Sequence, residues 1–121
     1  MESNFKKGDI VVWNNYIGDD GKSKDRPHIV VEVFPCGTVA LGYGTTKIAR
    51  YSKNAKHNFF CGSTDFLSGK PKEGVFDCAN MKALSAQDAS LKLVISQNQL
   101  TKSAKEKALV CIGYAVKSIL L

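Results

Sequence analysis

The chain has 121 residues, 44% of them hydrophobic and 23% charged, with a net charge of +6. That length suits one domain with one modest core, so residues 1–121 are read as a single unit. No apolar run approaches the roughly 18 residues of a membrane span, and the opening MESNFKKGD lacks the apolar stretch of a secretory signal, so a cytoplasmic protein is expected.

FKKGDIVVWNNY starts with a turn signal at Gly8–Asp9, after which Ile10–Trp13 reads as a short strand. IGDDGKSKD, residues 17–25, carries hardly any apolar side chain and reads as a solvated loop. Pro27 has no amide hydrogen and suits the first residue of a strand. It also pushes Arg26 into an extended conformation. His28–Phe34 then reads as a strand buried on both sides. PCG is a turn, and TVALGYG a third strand able to form a hairpin with the second. KHNFFCG and GVFDCANMKAL supply the fourth and fifth strands, separated by the polar turn segment LSGKPKEG. SAQDA, 85–89, reads as a short helix with Ser85 as its N-cap. Ser96 and Gln99 form a capping-box pattern ahead of an amphipathic C-terminal helix. Leu100, Ala104, Ala108, Cys111, Ala115 and Ile119 recur there at helical spacing, and Leu109, Ile112, Val116 and Leu120 widen the stripe. Short strands followed by a terminal helix make a small α+β domain, and turns this close together favour a curled barrel over a flat sheet.

Cys36, Cys61, Cys78 and Cys111 lack the close spacing of a zinc knuckle or redox motif, and His28 and His57 complete no ligand set. Free, mostly buried thiols and no bound metal are expected. Asp19, Asp20 and Asp77 have no clear second member for paired acid work. No serine sits in a nucleophile elbow, and no glycine pattern matches a Walker or dinucleotide loop, so no cofactor is expected either.

Two stretches carry more chemistry. Arg26 stands at the mouth of a stiff strand, and a guanidinium grips phosphate through two parallel hydrogen bonds. His28 lies two residues on, hence on the same strand face, and can move a proton near neutral pH. The pair reads either as phosphoryl chemistry or as a surface charge beside a half-buried strand histidine. The second stretch is GYGTTKIARYSKNAKHNFF. No Asp or Glu occurs from Val33 through Thr64, and Lys47, Arg50, Lys53 and Lys56 recur every third residue with Tyr43, Tyr51, Phe59 and Phe60 nearby. Cations for a backbone and aromatics for stacking are what single-stranded nucleic acid requires. Thr45 and Thr46 can hydrogen-bond a phosphate oxygen. The plain alternative is a solvated basic loop. The overall positive charge favours a polyanionic partner.

In order along the chain, FKKGDIV, RPHIVVEV, YGTTK, KHNFF, GVFDCANMKAL and the terminal helix resemble the MazF/PemK family of toxin–antitoxin ribonucleases. The resemblance spans nearly the whole chain. It implies a small SH3-like barrel, usually a homodimer, that cleaves single-stranded RNA without metal. Attack by the ribose 2′-hydroxyl would leave a cyclic phosphate, and an antitoxin protein would neutralise the enzyme. By the same resemblance Arg26 is the catalytic arginine and Thr45 the active-site threonine, with Thr46 the competing choice. His28 is an additional proton-transfer candidate, while Tyr43, Thr46, Lys47, Arg50, Lys53 and Lys56 would contact RNA. The chain departs from the pattern on its fifth strand, where Ala79 and Asn80 replace an acidic residue and glutamine, and Lys82 replaces an arginine. A non-catalytic SH3-like module that binds nucleic acid or a protein is the alternative.

Overall fold

The apolar run Ile29–Val31 lies at the centre of a six-stranded antiparallel sheet, and all three side chains are fully buried. The computed structural model describes residues 4–120, with side chains as far as Ser118. The strands are β1 (Ile10–Ile17), β2 (Ser23–Val33), β3 (Val39–Thr45), β4 (Asn58–Cys61), β5 (Gly74–Leu84) and β6 (Leu93–Ile95). Two α-helices follow late in the chain, α1 (Ala86–Lys92) and α2 (Lys102–Leu120). The sheet order is β4-β5-β3-β2-β1-β6. It curls until its ends meet: Leu67 N donates to Gln99 O at 2.9 Å, Thr101 N to Asp65 O at 2.9 Å, and Phe66 and Leu100 form a bridge. The expected α+β architecture and curled barrel are therefore present. No helix among the described residues is long and apolar enough to cross a membrane.

Strand alternation sorts the core into two layers. One face carries Ile29, Val31, Phe59, Phe76 and Cys78 against Ala104, Ala108, Ile112 and Ala115 of α2, whose small side chains let the helix approach the sheet closely. The other carries Val11, Val30, Val39 and Leu41, closed by Leu84, Leu93 and Ala89 of α1. All four cysteines are free. Burial pushes the Cys61 and Cys78 thiols up to about 12, Cys111 is half-buried, and Cys36 is exposed.

Several expected boundaries move. β2 starts at Ser23 rather than His28, because Ser23 and Lys24 pair with Ile17 and Tyr16, and the expected loop contracts to Gly18–Lys22. Pro27 thus lies inside β2, at the last position before β3 takes up pairing, where a missing donor costs least. Ser85 caps α1 as expected, accepting from Asp88 N at 3.1 Å. The Ser96–Gln99 capping box does not form. The Gln99 amide instead accepts from Ile10 N at 2.9 Å and donates to Ile10 O at 2.7 Å, acting as a surrogate strand for the start of β1. α2 begins at Lys102 with Thr101 as its cap, the Thr101 hydroxyl accepting from Ala104 N at 3.2 Å. Leu100 is buried before the helix, and Leu109, 37% exposed, falls outside the stripe. The Ile119 and Leu120 side chains lie outside the described residues.

Gly44 fixes how closely β3 passes β2 and β5. A Cβ there would stand 2.6 Å from both the Pro27 carbonyl oxygen and a Phe76 ring carbon. Neither neighbour can retreat without moving a strand. Gly44→Ala should therefore destabilise the fold by roughly 2–3 kcal/mol, read as a lower urea midpoint.

A cationic cleft as candidate nucleic-acid interface

Two irregularities in the sheet shape the site. In β1 the pairing with β2 shifts between Trp13 and Tyr16, where Asn15 adopts a left-handed φ of 57°. In a regular strand Trp13 and Tyr16 would face opposite sides; the bulge turns both rings onto His28, at 5.2 and 5.0 Å between centroids. In β5 the partner of Gly42 is Met81 but the partner of Tyr43 is Asp77, so Cys78–Asn80 bulge out. The Asp77 carboxylate holds that bulge by accepting from Ala79 N at 3.1 Å and Asn80 N at 3.2 Å. Asn80 in the bulge and Lys82 beyond it reach the same hollow as Tyr16.

The hollow is a cleft of about 260 Å³ between the β1–β2 turn, the end of β3 and β5. Thr45, Lys47, Arg50 and Tyr51 line it together with Tyr16, Tyr43, Asn80 and Lys82, and Asp19 reaches it from the β1–β2 turn. Arg26 lies two residues before His28, whose partner on β3 is Tyr43, and Thr45 lies two residues after Tyr43. The Arg26 guanidinium lies 5.6 Å from the centroid of the Tyr43 ring, so Tyr43 limits its swing. Thr45 Oγ1 accepts from Lys47 N at 3.2 Å, which leaves its hydroxyl proton available to a ligand. Lys82 Nζ donates to the Tyr16 hydroxyl and sits 4.6 Å over its ring. Lys47, Arg50 and Lys82 thus line a cleft whose acidic lining side chain is Asp19, with Arg26 against the Tyr43 ring, which favours a polyanion.

No protein-family model matches the sequence, and no curated protein matches it. Among solved structures the chain is similar to the Mycobacterium tuberculosis toxin MazF-mt6, with a TM-score of 0.54 at 16% identity, covering 90% of this chain and 96% of that one. The chain has a MazF-like fold.

Within this MazF-like fold the expected site residues separate. Tyr43, Thr45, Lys47 and Arg50 line the cleft, and the Arg26 guanidinium lies against the Tyr43 ring without being part of the lining. Thr46 turns instead to an adjoining apolar groove of about 250 Å³, shared with Thr45 and lined by Val12, Pro27, Phe66 and Val75. Lys56 lies 5.1 Å over the Tyr114 ring of α2, and Lys53 is exposed on the loop; neither lines the cleft. His28 is 1% exposed beneath the cleft, boxed by Trp13, Tyr16 and Tyr43. Its Nδ1 lies 3.1 Å from the Arg26 carbonyl oxygen, and its buried Nε2 has no hydrogen-bond partner among the described residues. Burial drives its pKa down to about 4; the hydrogen bond with the Arg26 carbonyl opposes the shift, and the charges of Lys82 and Arg26 add to it. His28 thus lies packed among these three rings and is not one of the side chains that line the cleft.

Four cleft residues escaped the sequence reading as ligand-facing groups: Tyr16, Asp19, Asn80 and Lys82. Tyr51 was visible there only as an aromatic within the basic window. Its hydroxyl pKa is raised, first by burial and then by the charges of Asp77 and Tyr43, while Arg50 and Arg26 pull it down. For Lys82 a signal existed, since it stands where the resemblance expects an arginine. Tyr16 had none, because only the bulge at Asn15 turns it inward.

Proposed function

We propose that this protein is a toxin-type endoribonuclease that cuts single-stranded RNA by attack of the ribose 2′-hydroxyl, without a metal, in the cleft at Arg26 and Thr45. What supports the reading is the Arg26 guanidinium 5.6 Å from the ring of Tyr43, which lines a cationic, tyrosine-rich cleft together with the Thr45 side chain. The MazF-like fold supports it, since the similar solved structure is a toxin. Arg26 neutralises the phosphorane as charge builds on the non-bridging oxygens, and Thr45 donates to one of them. A guanidinium stays protonated at physiological pH, so Arg26 acts by charge and not as a base. Lys47 and Arg50 track the backbone, and Tyr43 and Tyr51 offer ring faces to unstacked bases. An acidic antitoxin segment would occlude the same cleft by charge complementarity, and the working form is a homodimer in the cytoplasm.

Purified protein incubated with single-stranded RNA in EDTA should release fragments with cyclic phosphate ends. RNA binding that weakens with salt but yields no fragments would identify a binding module in place of a nuclease.

A further inference from the structure

Cleavage by a 2′-hydroxyl needs two proton movements, one off the nucleophile and one onto the departing 5′-oxygen, which is a poor leaving group as an alkoxide. The residues placed so far account for the charge on the phosphorane and for neither proton. His28 is buried beneath the cleft with Nδ1 against the Arg26 carbonyl, and a guanidinium does not give up its proton.

Resting on the functional reading above, we propose that the Tyr16 hydroxyl is the general acid that protonates the leaving 5′-oxygen, with Lys82 as its positioning residue. Three observations converge on this. Tyr16 lines the cleft although only 7% of its surface is exposed, so its ring is held by the side chains around it. The ring is clamped by Trp13 at 5.1 Å and His28 at 5.0 Å, and reaches this place only through the left-handed turn at Asn15. The phenol oxygen accepts from Lys82 Nζ, and an ammonium is a donor only, so the phenol's own proton is left to be given away.

The step balances. The 2′-oxygen bonds to phosphorus as its proton passes to the Asp19 carboxylate in the lining of the cleft. The bond from phosphorus to the 5′-oxygen breaks as that oxygen takes the Tyr16 proton. The phenolate forms against the Lys82 ammonium, which returns a proton to it, and solvent restores Lys82 and Asp19. A tyrosine held by Lys82 only for packing would have the same contacts and no role in this transfer.

The test uses Tyr16→Phe in the full chain, which keeps the ring and removes the hydroxyl. Single-turnover cleavage is compared on an RNA oligonucleotide and on the same oligonucleotide with sulfur bridging phosphorus and the 5′-carbon at the bond the wild type cuts. A thiolate leaves without protonation. Tyr16→Phe should be slower by about 10²-fold on the oxygen substrate and close to wild type on the sulfur one. Binding of a 2′-O-methyl oligonucleotide should be unchanged. Lys82→Gln, at an exposed position, should show the same oxygen-selective defect, smaller in size, which covers the case of a Tyr16 variant that folds poorly. Full activity of Tyr16→Phe on oxygen, or equal loss on both substrates, overturns the assignment and leaves the nuclease reading standing. A wild type that cuts neither substrate overturns both.

Discussion

Replacing Arg26 with alanine is expected to slow RNA cleavage by about 10³-fold, because the lost group meets charge that develops only in the transition state. The fold should survive. Arg26 is half-buried on β2 opposite Trp13 of β1, and its contact with Tyr43 is a cation–π interaction worth about 0.5–1 kcal/mol at such a site. Binding should suffer far less than catalysis. Loss of one phosphate contact on a single strand lowers the slope of log affinity against log salt by about 0.7. Arg26→Lys should recover only a small part of the rate, since an ammonium is a point charge without the planar fork that spans two phosphate oxygens. Single-turnover rates and salt titrations of the two variants check this together. An alanine variant that cuts at the wild-type rate would remove Arg26, and this cleft, from the mechanism.

Acid should weaken the fold through His28. Its pKa in the folded protein is about 4 against 6.5 for an unperturbed imidazole, chiefly because burial penalises the charged ring. Between those two values the unfolded chain binds a proton that the folded chain refuses, so stability falls as pH drops through that window. The neutral-ring contribution is complete above about pH 6.5 and lost by about pH 4, and amounts to about 3 kcal/mol over the interval. Urea midpoints of the wild type and of His28→Leu, followed from pH 7.5 to pH 4, isolate the effect from the carboxylates common to both. The leucine variant starts less stable, having lost the bond to the Arg26 carbonyl, and the gap between the proteins should close on acidification. Parallel curves would show that His28 does not titrate in this window. If the nuclease reading is right, activity should decline over the same range, because His28 underlies both Arg26 and Tyr16.

Much of this was legible along the chain, and the exceptions have a common cause. The β-branched run after Pro27, the apolar alternation of TVALGYG and the spacing of alanines in α2 are local patterns, each strong enough to decide its element. Arg26 and Thr45 could be singled out because their residue types carry the chemistry and their neighbours are stiff. The errors fell where a local pattern met a tertiary competitor. Ser96 and Gln99 have the spacing of a capping box, but the unpaired backbone of Ile10 offers the Gln99 amide two hydrogen bonds, and α2 starts later. β6 is only three residues long, too short for any period to show, and exists because β1 supplies a partner.

The sequence by itself determined a single basic α+β chain with an arginine held at a strand and a cation–aromatic window after the third strand, since composition, proline geometry and residue period act over a few neighbours. Only the tertiary structure decided which of those cations share a cleft, that His28 lies under it, and that Tyr16 and Lys82 meet in its lining. Those outcomes hang on two bulges, at Asn15 and at Cys78–Asn80, and a bulge reverses the facing of every residue beyond it through pairing with strands distant in sequence.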